Sequence, residues 1–289
     1  MKFRIIVVLS NAILLVFFLL AFFIPFLALG PQNAGVFWQG AWPVAVFFFL
    51  ILLAMNLVYA LNAGLLRLLD REDWPALAGC LEKRTIEKGR YRFRDVQLLV
   101  NTYMILSDNE ALANLENRVM AANSPPIEKF TLIFGVGRIV RKDYAGAVRF
   151  FDSRLAGQSG KKEASGAASS AVRPASRESF WIFWYSGFAL LLDFRYTAAA
   201  ERFSELARTA KDPVVTALTA WVLGQSLPNA LPDRSGEFAA LAEETRKQVK
   251  TLLPKRSAWD RKIQAMQDES HIAVISRYLQ STADWLYKG

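Results

Sequence analysis

The chain has a single cysteine, Cys80, and a single histidine, His271. One thiol excludes an internal disulfide and any cysteine-built zinc site. One imidazole excludes a two-histidine metal centre and relays that need several imidazoles. Charge is also missing from one end. Before Arg67 the only charged residues are Lys2 and Arg4, and the first acid is Asp70. Residues 67–289 hold 33 of the 35 basic residues and all 26 acids, a net +7. After Leu69 no apolar run is long enough to span a bilayer. The overall 53% apolar and 21% charged composition therefore averages a membrane segment with a water-exposed one. A fully soluble chain and a multi-span transporter are both excluded.

Residues 5–29 form an apolar run broken only by Ser10, Asn11 and Pro25. At about 1.5 Å per residue this exceeds a hydrocarbon core of roughly 30 Å. A cleaved leader is the competing reading, but leader cores run to about 7–15 residues. The one small-residue site, Ala28-Leu29-Gly30, is also followed by Pro31. The uncharged link 30–43 contains Trp38, Gly40, Trp42 and Pro43, which suits a tight turn at a headgroup region. A second apolar run covers residues 44–61, with Asn56 and, just beyond it, Asn62 expected to face the partner helix. Basic residues flank both runs on one side and are absent from the link. The positive-inside rule then places a two-pass hairpin, residues 1–66, in the cell (inner) membrane, with both termini in the cytoplasm.

Past residue 67 the sequence repeats. Asp73-Trp74-Pro75-Ala76-Leu77 with Leu81 aligns with Asp108 to Ala111 with Leu115. Tyr144 to Ala147 with Phe151 and Tyr196 to Ala199 with Phe203 follow. The intervals are 34, 36 and 52 residues. The long interval holds residues 157–178, a Gly/Ala/Ser-rich stretch with little apolar bulk, expected to be a disordered insertion. Gly135 and Gly187 each precede their tyrosine by nine residues. Leu99 stands in their place in the unit before.

This pattern resembles the tetratricopeptide repeat, in which a small residue in the first helix of a pair accompanies an aromatic, an alanine and a second aromatic in the second. Gly135, Tyr144, Ala147 and Phe151 match, as do Gly187, Tyr196, Ala199 and Phe203; Leu77, Leu81, Ala111 and Leu115 belong to weaker units. The resemblance covers roughly residues 72–213. It implies an all-α chain: an N-terminal transmembrane helical hairpin followed by a tetratricopeptide-like α-solenoid over residues 67–256. Asp212-Pro213 reads as a helix start, Ser235 as a helix cap, and residues 257–289 as a terminal capping segment opened by Ser257. No proline interrupts residues 55–69. A continuous helix is therefore expected to leave the second run and pack on the helix carrying Leu77 and Leu81.

Catalytic, cofactor and metal residues are not expected. Gly135-Val136-Gly137 lacks the third glycine and the strand of a dinucleotide loop, so helix packing explains it better. His271 reads as a surface histidine and Cys80 as a small buried group. Lys83, Arg84, Lys88, Arg90, Arg92 and Arg94 read either as a solvated face or as a contact with anionic lipid headgroups. Nucleic acid is an unlikely partner. The aromatic stretch Phe180, Trp181, Phe183, Trp184 and Tyr185 leaves a face over for a partner groove or a contact to the hairpin. The resemblance implies a non-enzymatic scaffold that binds other proteins at a membrane-bound assembly, such as an envelope, secretion or flagellar-motor machine. The alternative is a membrane-associated enzyme of lipid or envelope metabolism.

Overall fold

The computed structural model describes residues 2–122, 130–163, 176–267 and 269–287. All regular elements among them are helical. The chain divides into two compact units, Met1–Lys83 and Arg84–Gly289, taken separately below.

The first unit contains α1 (Lys2–Asp70) and α2 (Trp74–Glu82). A straight helix would hold residues 11 and 56 about 67 Å apart at 1.5 Å per residue. Instead the Asn11 and Asn56 carboxamides hydrogen-bond each other reciprocally at 3.0 and 3.1 Å. The Phe18 and Phe48 rings meet edge to face at 6.1 Å. The stretch around Asn11 and Phe18 therefore lies beside the stretch around Phe48 and Asn56. Asn62, like Asn56, also bonds within its own helix. Its amide donates to the Val58 carbonyl of its own helix, satisfying the group without a partner helix. Gln39–Asp70 is the one helical stretch among the described residues long and apolar enough to cross a membrane; Ile5–Ala21 is a shorter apolar stretch. The helix is unbroken through Asp70, and α1 packs against α2.

The second unit is a succession of helix pairs. The pairs are α3 (Phe93–Leu106) with α4 (Asn109–Ala121), α5 (Thr131–Val140) with α6 (Tyr144–Glu163), and α7 (Arg177–Leu192) with α8 (Tyr196–Thr209). Next come α9 (Pro213–Trp221), a π-helical turn (Val222–Ser226), α10 (Leu227–Ala230) and α11 (Ser235–Leu252). The end is formed by α12 (Arg256–Gln264), α13 (Ser270–Val274) and α14 (Ser276–Tyr287). First helices stack in order, α3 on α5, α5 on α7 and α7 on α9.

One turn recurs four times. Glu72, Ser107, Lys142 and Phe194 have φ of 56°, 56°, 63° and 60°, in the left-handed region. In each case the next amide reaches back five residues: Asp73 to Leu68, Asp108 to Tyr103, Asp143 to Arg138 and Arg195 to Leu190. The left-handed residue's own amide reaches back three. This is the Schellman closure of the first helix. Three of the four following residues then start the second helix as N-caps. The Asp73, Asp108 and Asp143 carboxylates accept from the amides of Ala76, Ala111 and Gly146.

The shared turn fixes the register. Asp108 aligns with Asp73 and Asp143, one residue away from the sequence alignment above. Leu112 and Glu116, not Ala111 and Leu115, then occupy the places held by Ala147 and Phe151 in the next pair. The displaced Leu115 is buried as well, which is why the sequence pattern accepted either register.

The insertion is shorter than read. Residues 157–163 continue α6, and Arg177 and Glu178 open α7, with Ser176 and Ser179 forming a reciprocal capping box. Residues 164–175 lie outside the described residues. Asp212 caps α9 as expected, accepting from the amides of Val214 and Val215. Ser235 and Ser257 do not cap. They lie inside α11 and α12, whose N-caps are Arg234 and Lys255 without side-chain cap bonds.

The close approach inside each pair has a measurable consequence. A Cβ on Gly135 would lie 2.2 Å from two carbons of the Phe151 ring, whereas one on Gly187 would lie 3.2 Å from the nearest Phe203 carbon. Alanine gains about 1 kcal/mol over glycine in a helix. Overpacking costs about 1–3 kcal/mol. Gly135→Ala should therefore lower stability by about 2 kcal/mol in chemical denaturation and Gly187→Ala should be near neutral. Phe151→Leu should recover part of the Gly135→Ala loss. Equal midpoints for the two glycine variants would contradict this packing.

Candidate functional site

The sequence-derived packing residues fall into two groups. Leu77, Leu81, Leu115, Gly135, Ala147, Phe151, Gly187, Ala199 and Phe203 are buried. Ala111, Tyr144 and Tyr196 are half-buried at the starts of their helices. Gly135 faces Phe151 and Gly187 faces Phe203 within their own pairs, and the Phe151 ring also stacks on Tyr185 of the next pair at 6.2 Å. Of the basic segment, Lys83, Lys88, Arg90, Arg92 and Arg94 are exposed and Arg84 is half-buried in the π-helical turn Lys83–Glu87. Cys80 is half-buried, not enclosed, because it lies beside Leu81 on the margin of the packed face of α2.

Helix α7 differs most from expectation. Every residue from Ser179 to Leu190 is buried, leaving no free aromatic face. Part of the cover is the chain's own C-terminal segment. The His271 ring lies 4.8 Å from that of Trp181 and 5.6 Å from that of Tyr185. Tyr278 meets Phe188 at 5.0 Å and Trp221 of α9 at 5.7 Å. His271, read from sequence as a surface group, is 5% exposed. Its partners are 86 residues away in α7, a separation no local pattern reveals.

A polar network surrounds this histidine. The Tyr185 hydroxyl donates to the His271 carbonyl at 2.9 Å and lies 3.2 Å from Nδ1. Glu269 Oε2 lies 2.9 Å from Nε2. Arg177 donates to Glu269 at 3.0 Å and to Asp212 at 3.1 Å. Both ring nitrogens thus lie within hydrogen-bond reach of an oxygen, Tyr185 Oη at Nδ1 and Glu269 Oε2 at Nε2. The hydrogen bond from His271 is the main cause holding the Glu269 carboxyl below its ordinary value, with the Arg177 charge assisting against burial. Burial, and secondarily the Glu269 charge, push the Tyr185 phenol well above its ordinary value.

Two further polar ties connect helices. Glu116, 3% exposed, accepts from Arg138 at 2.7 Å and from Arg141 at 3.2 Å. Ser186 donates to Asp152 at 2.9 Å while Arg202 reaches both. No cluster of three or more His, Cys, Asp or Glu placed to hold a metal occurs among the described residues. The groups described are engaged in joining helices to one another.

A family model described as an uncharacterised Treponema protein matches residues 167–288. An uncharacterized protein of Treponema pallidum (strain Nichols) is 33% identical over 234 residues, covering 80% of this chain and 68% of its own length. No solved structure matches.

The network sets a pH response. The Glu269 carboxylate, lowered in the fold, contributes its full stability at neutral pH. That contribution declines once pH falls below about 4.3, the ordinary glutamate value, and is lost below the folded one. The Tyr185 phenol, raised in the fold, contributes below about pH 10 and loses that contribution as pH climbs towards its folded value. Glu269→Gln should flatten the acid limb of a stability–pH curve and Tyr185→Phe the alkaline limb. Unchanged limbs would show that these groups do not govern it.

Proposed function

The chain belongs to the family described as an uncharacterised Treponema protein, and from that premise we propose that it is a membrane-anchored scaffold of tetratricopeptide-like helix pairs, binding partner proteins at a membrane-bound assembly. The observation carrying this reading is the turn repeated at Glu72, Ser107, Lys142 and Phe194, with a glycine against an aromatic ring in two of the pairs. Repeated helix pairs bury their apolar faces on their neighbours and leave extended surfaces for other proteins. The step from fold to function is an analogy, since the polar groups here join helices and do not converge on a reacting centre.

The anchor in this reading is α1, folded back on itself as a two-pass hairpin. Apolar side chains along both arms, from Ile5 to Leu61, are exposed and would need lipid to cover them. The reciprocal Asn11–Asn56 pair suits such a setting, because each carboxamide satisfies the other where water is absent. Both termini would then lie in the cytoplasm. The exposed bases Lys83, Lys88, Arg90, Arg92 and Arg94 would be available to anionic headgroups, at about 1 kcal/mol per basic residue near the surface.

The test has two parts. A reporter fused after residue 289 should be active only in its cytoplasmic form. In a mild detergent extract the chain, 32.5 kDa alone, should migrate in a discrete larger complex with other polypeptides at fixed stoichiometry. A reporter active outside the cytoplasm overturns the topology. Recovery of the chain alone overturns the scaffold.

A further inference from the structure

The segment Ser270–Tyr287 crosses the first helices in order. Its start, α13, packs on α5, with His271 against Trp181 and Tyr185 of α7. One helical step on, Tyr278 lies between Phe188 of α7 and Trp221 of α9. At its end Trp285 lies beneath the Arg246 guanidinium of α11 at 4.9 Å and beside Gly224. Ile275, Leu279, Ala283 and Leu286 form the inward ridge and are buried, whereas Ser276, Arg277 and Gln280 are exposed. The segment is a short helix, α13, followed after a turn at Ile275 by the amphipathic helix α14, lying across a row of helices.

It is also held by its backbone. At one end the Tyr185 hydroxyl donates to the His271 carbonyl at 2.9 Å. At the other, Arg246 Nη2 donates to the Trp285 and Leu286 carbonyls at 2.8 and 3.3 Å, satisfying carbonyls that a helix C-terminus leaves open. Both clamps belong to the repeat side and address main chain, so they would serve any helix seated there. On its outer side the segment faces α12 across an open cavity of about 570 Å³ lined by Ile263, Gln264, Gln267, Ser276 and Gln280 among others, with the Arg256 guanidinium of α12 ion-paired to Asp284 of α14. The two helices are joined by the short turn after Gln264.

We propose that this row of helices is a helix-receiving groove, that the chain's own segment 270–287 is its resident ligand, and that the partner it fits is an amphipathic helix of about three turns with the apolar spacing of α14. This rests on the scaffold reading and names the partner class for it. A short tether gives the resident an effective concentration on the order of mM. An outside helix at micromolar concentration therefore competes only when the tether is cut or the resident displaced.

The experiment uses the full chain in detergent with a specific protease site inserted after Gln267 and a fluorescent synthetic peptide of residues 268–289. The uncut chain should not bind the peptide. After cleavage, the peptide should exchange into the groove with a saturable rise in anisotropy, be displaced by unlabelled peptide, and bind at least tenfold more weakly as the Leu279→Asp form. Far-UV circular dichroism should show the repeats still helical while the cut segment exchanges. Failure of the peptide to enter the cut chain, or loss of cooperative folding once the segment leaves, overturns the proposal and makes the segment part of the core. These outcomes are separate from the extract experiment. A stable complex with a non-exchanging segment ends the groove alone, and an exchanging segment without a complex ends the scaffold alone.

Discussion

The left-handed residue that closes the first helix of each pair is the constraint from which the rest of the fold follows. Left-handed backbone costs an ordinary residue about 1–2 kcal/mol, and none of the four is glycine. Bulky Phe194 holds this conformation while 76% exposed, so its side chain recovers little by burial. The cost is offset by hydrogen bonds. Two backbone bonds close one helix, and in three pairs an aspartate accepts the first free amide of the next. One residue thus ends one helix and its neighbour starts another, leaving no slack between them. The direction of the second helix is set by the turn itself.

With that direction fixed, the separation within a pair is set by the residues eight before and eight after the capping position. Gly135 with Phe151 and Gly187 with Phe203 are complementary in size. At the same two places the first pair has Leu65 and Leu81, and the second has Val100 and Glu116. The second pair departs most, because its aromatic place holds a carboxylate. Glu116 is tolerated there since two arginines from the following first helix reach it. A buried charge without such partners would cost several kcal/mol. The core position has become a polar tie to the next pair.

This explains what was legible in the sequence. Asp212-Pro213, the Gly–aromatic spacing and the helix running on through Leu69 are local signals acting within about 16 residues, whereas the Asp73, Asp108 and Asp143 caps emerge only with the turn geometry. In the second pair the apolar spacing points to Ala111 and Leu115, one residue from the structural register, because that register puts the carboxylate of Glu116 at the aromatic place. Only the turn geometry decides between them. The His271 network was invisible for another reason. The links that join its parts span 35, 86 and 92 residues, so each member looks like an ordinary cap or surface charge alone. The aromatic density of α7 was readable, but what covers it was not.

The cover changes what the helix pairs can offer. A row of first helices with an empty aromatic face would be poorly soluble, since large exposed apolar patches attract one another. Filling the row with a segment of the same chain removes that liability. It also keeps each helix at a fixed spacing from the next, because His271, Tyr278 and Trp285 each meet a different part of the row. The polar ties act the same way on the other contacts. Glu116 joins α4 to α5, and Asp152, Ser186 and Arg202 join α6, α7 and α8. Apolar surfaces can slide over one another at little cost, whereas a hydrogen-bonded charge pair in low dielectric has one good geometry. The unit is therefore held in register by a few directional contacts laid over a non-directional core. A surface that must present several contact points to a partner at constant spacing needs that combination.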